Sequence, residues 1–197
     1  MTAGVEFDLG PAARRTAGLL TAVTDDLLTA ATPCAGYRLG DLIEHIGGLA
    51  AGFTAAATKE ALRQDASPPP AGDASRLGDD WRTRIPARLA DLAQAWRAPA
   101  AWQGTTRAGG VDLPAPLAAR VALDELVVHG WDVARSTGQP YACEPWEIEA
   151  CTQFALAVAS RPAPGLFAPP VEVPADAPPL DRLLALTGRG PSWTPPH

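Results

Sequence analysis

The sequence predicts an all-α fold: a four-helix bundle followed by a short, helical, proline-rich C-terminal extension. Three observations carry this. Apolar residues recur at helical spacing through four long segments, prolines and glycines gather mostly between them, and between the four helices only "WQGTTRAGGVDLP" reads as extended. At 197 residues the chain suits one domain, or one with a small appendage, with length enough to bury a core.

The first helix is expected over 11–31, where Ala17, Leu20, Val23, Leu27 and Leu28 fall on one face and Pro11 sits in the first turn. After the loop "TPCAGYR", a second long helix spans 39–62, with Leu42, Ile43, Ile46 and Leu49 as its apolar face and Asp41 in its first turn. The segment "RQDASPPPAGDAS" cannot continue a helix and reads as an exposed connection. A third helix is expected over about 76–98, kinked or interrupted at Pro86. Pro114 and Pro116 open a fourth that runs to Thr137 and stops at Gly138 and Pro140. A fifth follows in "EPWEIEACTQFALAVAS", then an extended proline-rich stretch and the short helix "LDRLLALTG". The expected division is a bundle over 1–140 and an extension over 141–197 whose two helices pack on it.

Composition removes several classes of function. The net charge of −6 and the lack of a basic stripe with interleaved aromatics point away from nucleic acid. No run approaches the roughly 18 apolar residues of a membrane span, and the N-terminus lacks a basic start and apolar core, so the expected location is cytoplasmic. Cys34, Cys143 and Cys151 form no C-x-x-C pair, which suits free thiols in a reducing compartment. Small molecules are the expected partners, and the expected assembly is a monomer or a homodimer.

Two of the three histidines lie inside long helices, each with an acidic residue one turn earlier: Asp41 before His45, and Glu125 before His129. His197 reads as a solvated residue. Residues four apart share a helix face, so Glu125 and His129 can present a carboxylate and an imidazole to one point. Ala118 and Ala122 continue that face and leave room above the pair; Gly47, Gly48 and Gly52 follow His45 and signal space or close approach. Two readings stand. Both histidines are satisfied core side chains, or His45, Glu125 and His129 form a nitrogen and oxygen donor set for zinc or another divalent first-row metal with an open position. Asp41 is either a first-turn carboxylate or a partner orienting His45. Cys34 is either loop packing or an extra nucleophile.

"TPCAGYRLGDLIEHIGG" followed by "DELVVHGWDVARSTGQP" resembles the DinB-like metal-binding proteins of actinobacteria, whose named relatives include mycothiol-dependent maleylpyruvate isomerases. The ending "FAPPVEVPADAPPLDRLLALTGRGPSW" resembles the short branch of that family. The resemblance implies that His45, Glu125 and His129 hold a divalent metal, zinc first, with mycothiol as co-substrate. The metal keeps the thiol ionised, the sulfur attacks a small-molecule electrophile, and the outcome is thiol S-transfer or thiol-dependent isomerisation. No separate general base is identified. The chain departs from the common pattern at Tyr37 and Arg38, where relatives carry Trp-Thr, so the threonine cap opposite Asp41 is lost. The alternatives are a non-catalytic metal- or ligand-binding bundle and a two-histidine, one-carboxylate iron oxygenase, which the helical architecture disfavours. Trp131, Trp146 and Trp193 are expected to fill the core.

Overall fold

The computed structural model describes residues 5–63, 70–160 and 167–196. Part of the connection expected over 63–75, part of the proline-rich stretch, and His197 lie outside them.

Helix α1 (Gly10–Leu20) is shorter than expected. Thr24 turns extended, at φ −90° and ψ 163°, and the chain continues as a 3-10 turn over Asp25–Thr29. The reason is tertiary: Arg82 donates to the Val23 carbonyl at 3.0 Å and to Asp25 Oδ1 at 2.8 Å, holding this stretch across from the third helix. Helix α2 (Leu39–Ala57) also stops early. Lys59 takes φ 63°, and its Nζ donates to the Ala101 carbonyl at 2.9 Å, so Glu60–Arg63 forms a 3-10 turn and not a further helical turn.

Helix α3 (Trp81–Ala95) carries Pro86 inside, and the proline does not interrupt it. It begins later than the periodicity suggested because Ala74–Arg76 forms its own 3-10 turn, capped where Asp73 Oδ1 accepts from the Ser75 N–H at 2.9 Å. The extended stretch is a hairpin of β1 (Thr105–Ala108) and β2 (Val111–Pro114), antiparallel, with Thr106 opposite Leu113. Helix α4 (Ala115–Thr137) starts and stops as read, with Gly138 at φ 69° closing its end in the left-handed region that glycine favours. Helices α5 (Pro145–Ser160) and α6 (Pro179–Leu186) complete the chain.

The four long helices form a ring in which α1 and α2 each touch both α3 and α4, which is a four-helix bundle; α5 packs on α4 and α6 on α5. Leu42, Ile43, Ile46, Ile85, Leu89, Leu92 and Leu123 are buried between them. At the hairpin end Trp96 and Trp102 meet edge to face at 5.6 Å, and Phe7 packs on Trp102 at 4.9 Å. Both indole N–H groups donate to backbone carbonyls, Trp96 to Phe53 at 3.1 Å and Trp102 to Trp96 at 2.7 Å, so these large apolar surfaces are buried with no polar atom stranded. Trp131 is buried as expected, whereas Trp146 and Trp193 are half-buried. No helix among the described residues is long and apolar enough to cross a membrane.

Candidate metal centre

His45 sits in the second turn of α2 because the chain enters that helix in a fixed way. Asp41 Oδ2 accepts from the Arg38 N–H at 3.0 Å, so the acidic half of a capping box survives although the threonine is absent. Its other oxygen accepts from the Ala74 N–H at 2.8 Å. Asp41 is thus a first-turn carboxylate tied to the 70–76 segment. That segment also crosses α2 at Gly72, whose N–H donates to Tyr37 Oη at 3.0 Å; a Cβ there would meet the Asp41 carbonyl at 2.3 Å and His45 Cβ at 2.9 Å, so only glycine fits.

Glu125 and His129 lie one turn apart on α4, facing α2. His129 Nε2 is 2.9 Å from Glu125 Oε2, and its ring stands edge-on to that of His45 with centroids 5.1 Å apart. One ligand atom from each of His45, Glu125 and His129 lies within 4.8 Å of the others. This donor set fits a divalent first-row cation: two imidazoles and one carboxylate, with the remaining coordination facing a cavity.

The cavity has a volume of about 440 Å³ and is lined by the three donors of α2 and α4, by the 33–37 loop, by Phe167 and Ala168, and by the 187–189 turn after α6. It is not where the small residues pointed. Ala118 and Ala122 are packed in the core, Gly47 makes room for Ile85 of α3, and Gly48 and Gly52 face open space.

Sequence reasoning missed two residues. Asp132, fully buried, places Oδ2 3.0 Å from His129 Nδ1. Arg189, from the turn after α6, is 7% exposed and donates to Asp132 through Nη2 at 3.1 Å and Nε at 3.4 Å. The signal for Asp132 was present as the third residue after His129; Arg189 carried none.

Electrostatics follow from these contacts. Burial opposes charge on His129, yet the Asp132 and Glu125 carboxylates outweigh it and raise the imidazole to about 9. Burial works against Glu125 as well, but His129 holds it below the usual carboxylate range. Burial and the neighbouring His129 lower His45, which favours the neutral, ligating form. Asp124 is pushed well above the carboxylate range by burial and then by Glu125, and its Oδ1 meets no donor. Burial, then Asp132, raises the Cys34 thiol to about 11, so it is protonated at neutral pH. Cys34, His129 and Asp132 make a second group of converging donors, but it holds a protonated thiol and a carboxylate already engaged by Arg189, and it suits a cation less well.

A family model described as "Mycothiol maleylpyruvate isomerase N-terminal domain" matches residues 9–134, from the start of α1 through most of α4, and so takes in all three donors. Two Mycobacterium tuberculosis proteins are similar along nearly the whole chain: uncharacterized protein MT0763 of strain CDC 1551 / Oshkosh and uncharacterized protein Rv0738 of strain ATCC 25618 / H37Rv. Each is 28% identical over 178 residues, which is 88% of this chain and 91% of the relative. No solved structure matches the chain.

Proposed function

Because the chain belongs to the mycothiol maleylpyruvate isomerase N-terminal domain family, we propose that it is a metal-dependent enzyme that activates a low-molecular-weight thiol, mycothiol, for attack on a small electrophile. The outcome is S-transfer or thiol-dependent isomerisation. The observation that carries this reading is the convergence of His45, Glu125 and His129 at the wall of one open cavity. His45, Glu125 and His129 would hold a divalent cation, zinc by their chemistry, and it would keep a thiol of ordinary pKa near 8.5 ionised at neutral pH.

The chain's own residues suit that task. Two imidazoles, neutral once they ligate, and the Glu125 carboxylate would hold the cation, while Arg189 offsets Asp132. A divalent cation on that set would leave one net positive charge, which a single thiolate would neutralise. Val128, Phe167 and Ala168 give the cavity an apolar wall beside the donors, which limits water around an ionised sulfur. Cys34 stays protonated and does not compete as a nucleophile.

Elemental analysis of the wild type and of His129→Ala, followed by calorimetric titration of mycothiol into the wild type, tests the proposal. The expected result is near-stoichiometric metal in the wild type, background metal in the variant, and heat on thiol addition. Equal or absent metal in both proteins would sink the metal site. Metal without any response to thiol would leave a metal-holding binding bundle.

A further inference from the structure

An imidazole ligand has two nitrogens, and it binds a metal only through the one whose lone pair is free. What decides between them at His129 is Asp132. Asp132 accepts from Arg189 at both oxygens, so its Oδ2, 3.0 Å from His129 Nδ1, is met by a proton on that nitrogen. Nε2, 2.9 Å from Glu125 Oε2 and turned toward the His45 ring, is then the nitrogen that would give up its proton for a cation. Asp132 is in turn fixed from the far side. Arg189 spans both carboxylate oxygens with Nε and Nη2, and its Nη1 donates to the Thr187 carbonyl at 2.9 Å within its own turn. That turn is seated hard: a Cβ on Gly188 would meet Ala168 Cβ at 2.6 Å.

The geometry points to Asp132 and Arg189 as positioning residues for the ligand His129, so that the turn after α6 belongs to the metal centre although it supplies no ligand. The inference rests on the metal reading above. Carboxylates that hold the far nitrogen of a metal-bound histidine set ring orientation and ligand basicity, and their loss weakens metal binding about 10–100-fold. Arg189 acts through Asp132. Without it, a fully buried carboxylate would have to find another partner, and His129 would be pulled away from its place opposite His45.

Zinc affinity, measured by competition with a chelator of known affinity, tests this on the wild type, Asp132→Asn and Arg189→Lys, with circular dichroism as the check on folding. Asp132→Asn is expected to bind zinc about 10–100-fold more weakly. Arg189→Lys is expected to weaken it in the same direction by a smaller factor, because lysine keeps the charge and loses the planar fork. Long-range proton–nitrogen NMR of the zinc-loaded wild type is expected to show His129 protonated at Nδ1 and metal-bound at Nε2, and that reading decides even where a variant does not fold. Unchanged affinity in both folded variants, or zinc on Nδ1, would overturn the inference while leaving the metal reading intact. A wild type that binds no zinc would overturn both.

Discussion

The two ends of the bundle use the same helices for opposite purposes. At the hairpin end, the last turns of α2 and the start of α4 enclose Trp96, Trp102 and Phe53, and every indole N–H has a backbone acceptor. At the other end, the second turn of α2 and the middle of α4 bury Asp124, His129 and Asp132 together with Arg189. Burying aromatic surface stabilises a fold directly, whereas a buried ion pair recovers at most part of the desolvation it costs. The hairpin end holds the bundle together; the charged end is held in place by it.

The sharpest way to break that contrast is Trp96→Ala. It should lower unfolding free energy by about 3–5 kcal/mol in a denaturant titration while leaving zinc per folded molecule unchanged. A parallel loss of zinc affinity would mean that the ends are coupled. Metal comes next. Zinc at a hundredfold excess over its dissociation constant should stabilise the wild type by about 2.7 kcal/mol, read as a rise in the thermal midpoint, and should leave His129→Ala where it was.

The pH dependence of the metal-free protein is smaller and has a definite sign. His129 is raised from 6.5 to about 9, so its contribution is fully present below pH 6.5 and lost as pH rises through 9. Asp124, also raised, acts in the same sense at its own pKa, and His45, lowered, costs stability only as pH falls below 6.5. Denaturation midpoints should therefore decline between pH 6.5 and 9 without metal and decline less with it; a rise over that window would contradict the carboxylate cage. The smallest effect is expected from Asp41→Ala, about 1 kcal/mol for a lost helix-start contact, with zinc affinity unchanged because Asp41 bonds to Arg38 and Ala74 and not to His45.

Much of this was legible in the sequence, for a local reason. Helix α4 could be bounded at both ends because proline and glycine act through their own backbone, and the meeting of Glu125 with His129 follows from a four-residue step. The meeting with His45 required only that α2 and α4 be neighbours. What failed was decided across the chain. The end of α1 is set by Arg82, 59 residues away from Val23, and the end of α2 by a bond from Lys59 to Ala101. The cavity was misplaced for the same reason: its roof comes from Phe167, Ala168 and the 187–189 turn, which no periodicity connects to α4. Asp132 was visible as a helical neighbour, but only Arg189, on an irregular turn, distinguishes it from any other buried acid.

The span between those two residues also has a consequence in time. Arg189 is made 57 residues after Asp132, which at a synthesis rate of 5–20 residues per second is on the order of 3–11 s. Helices form in microseconds or less, so α1 to α4 can be in place while the acid beside His129 still waits for its counter-charge. The charged end is therefore completed only after Arg189 has been made, later than the helices that carry its donors.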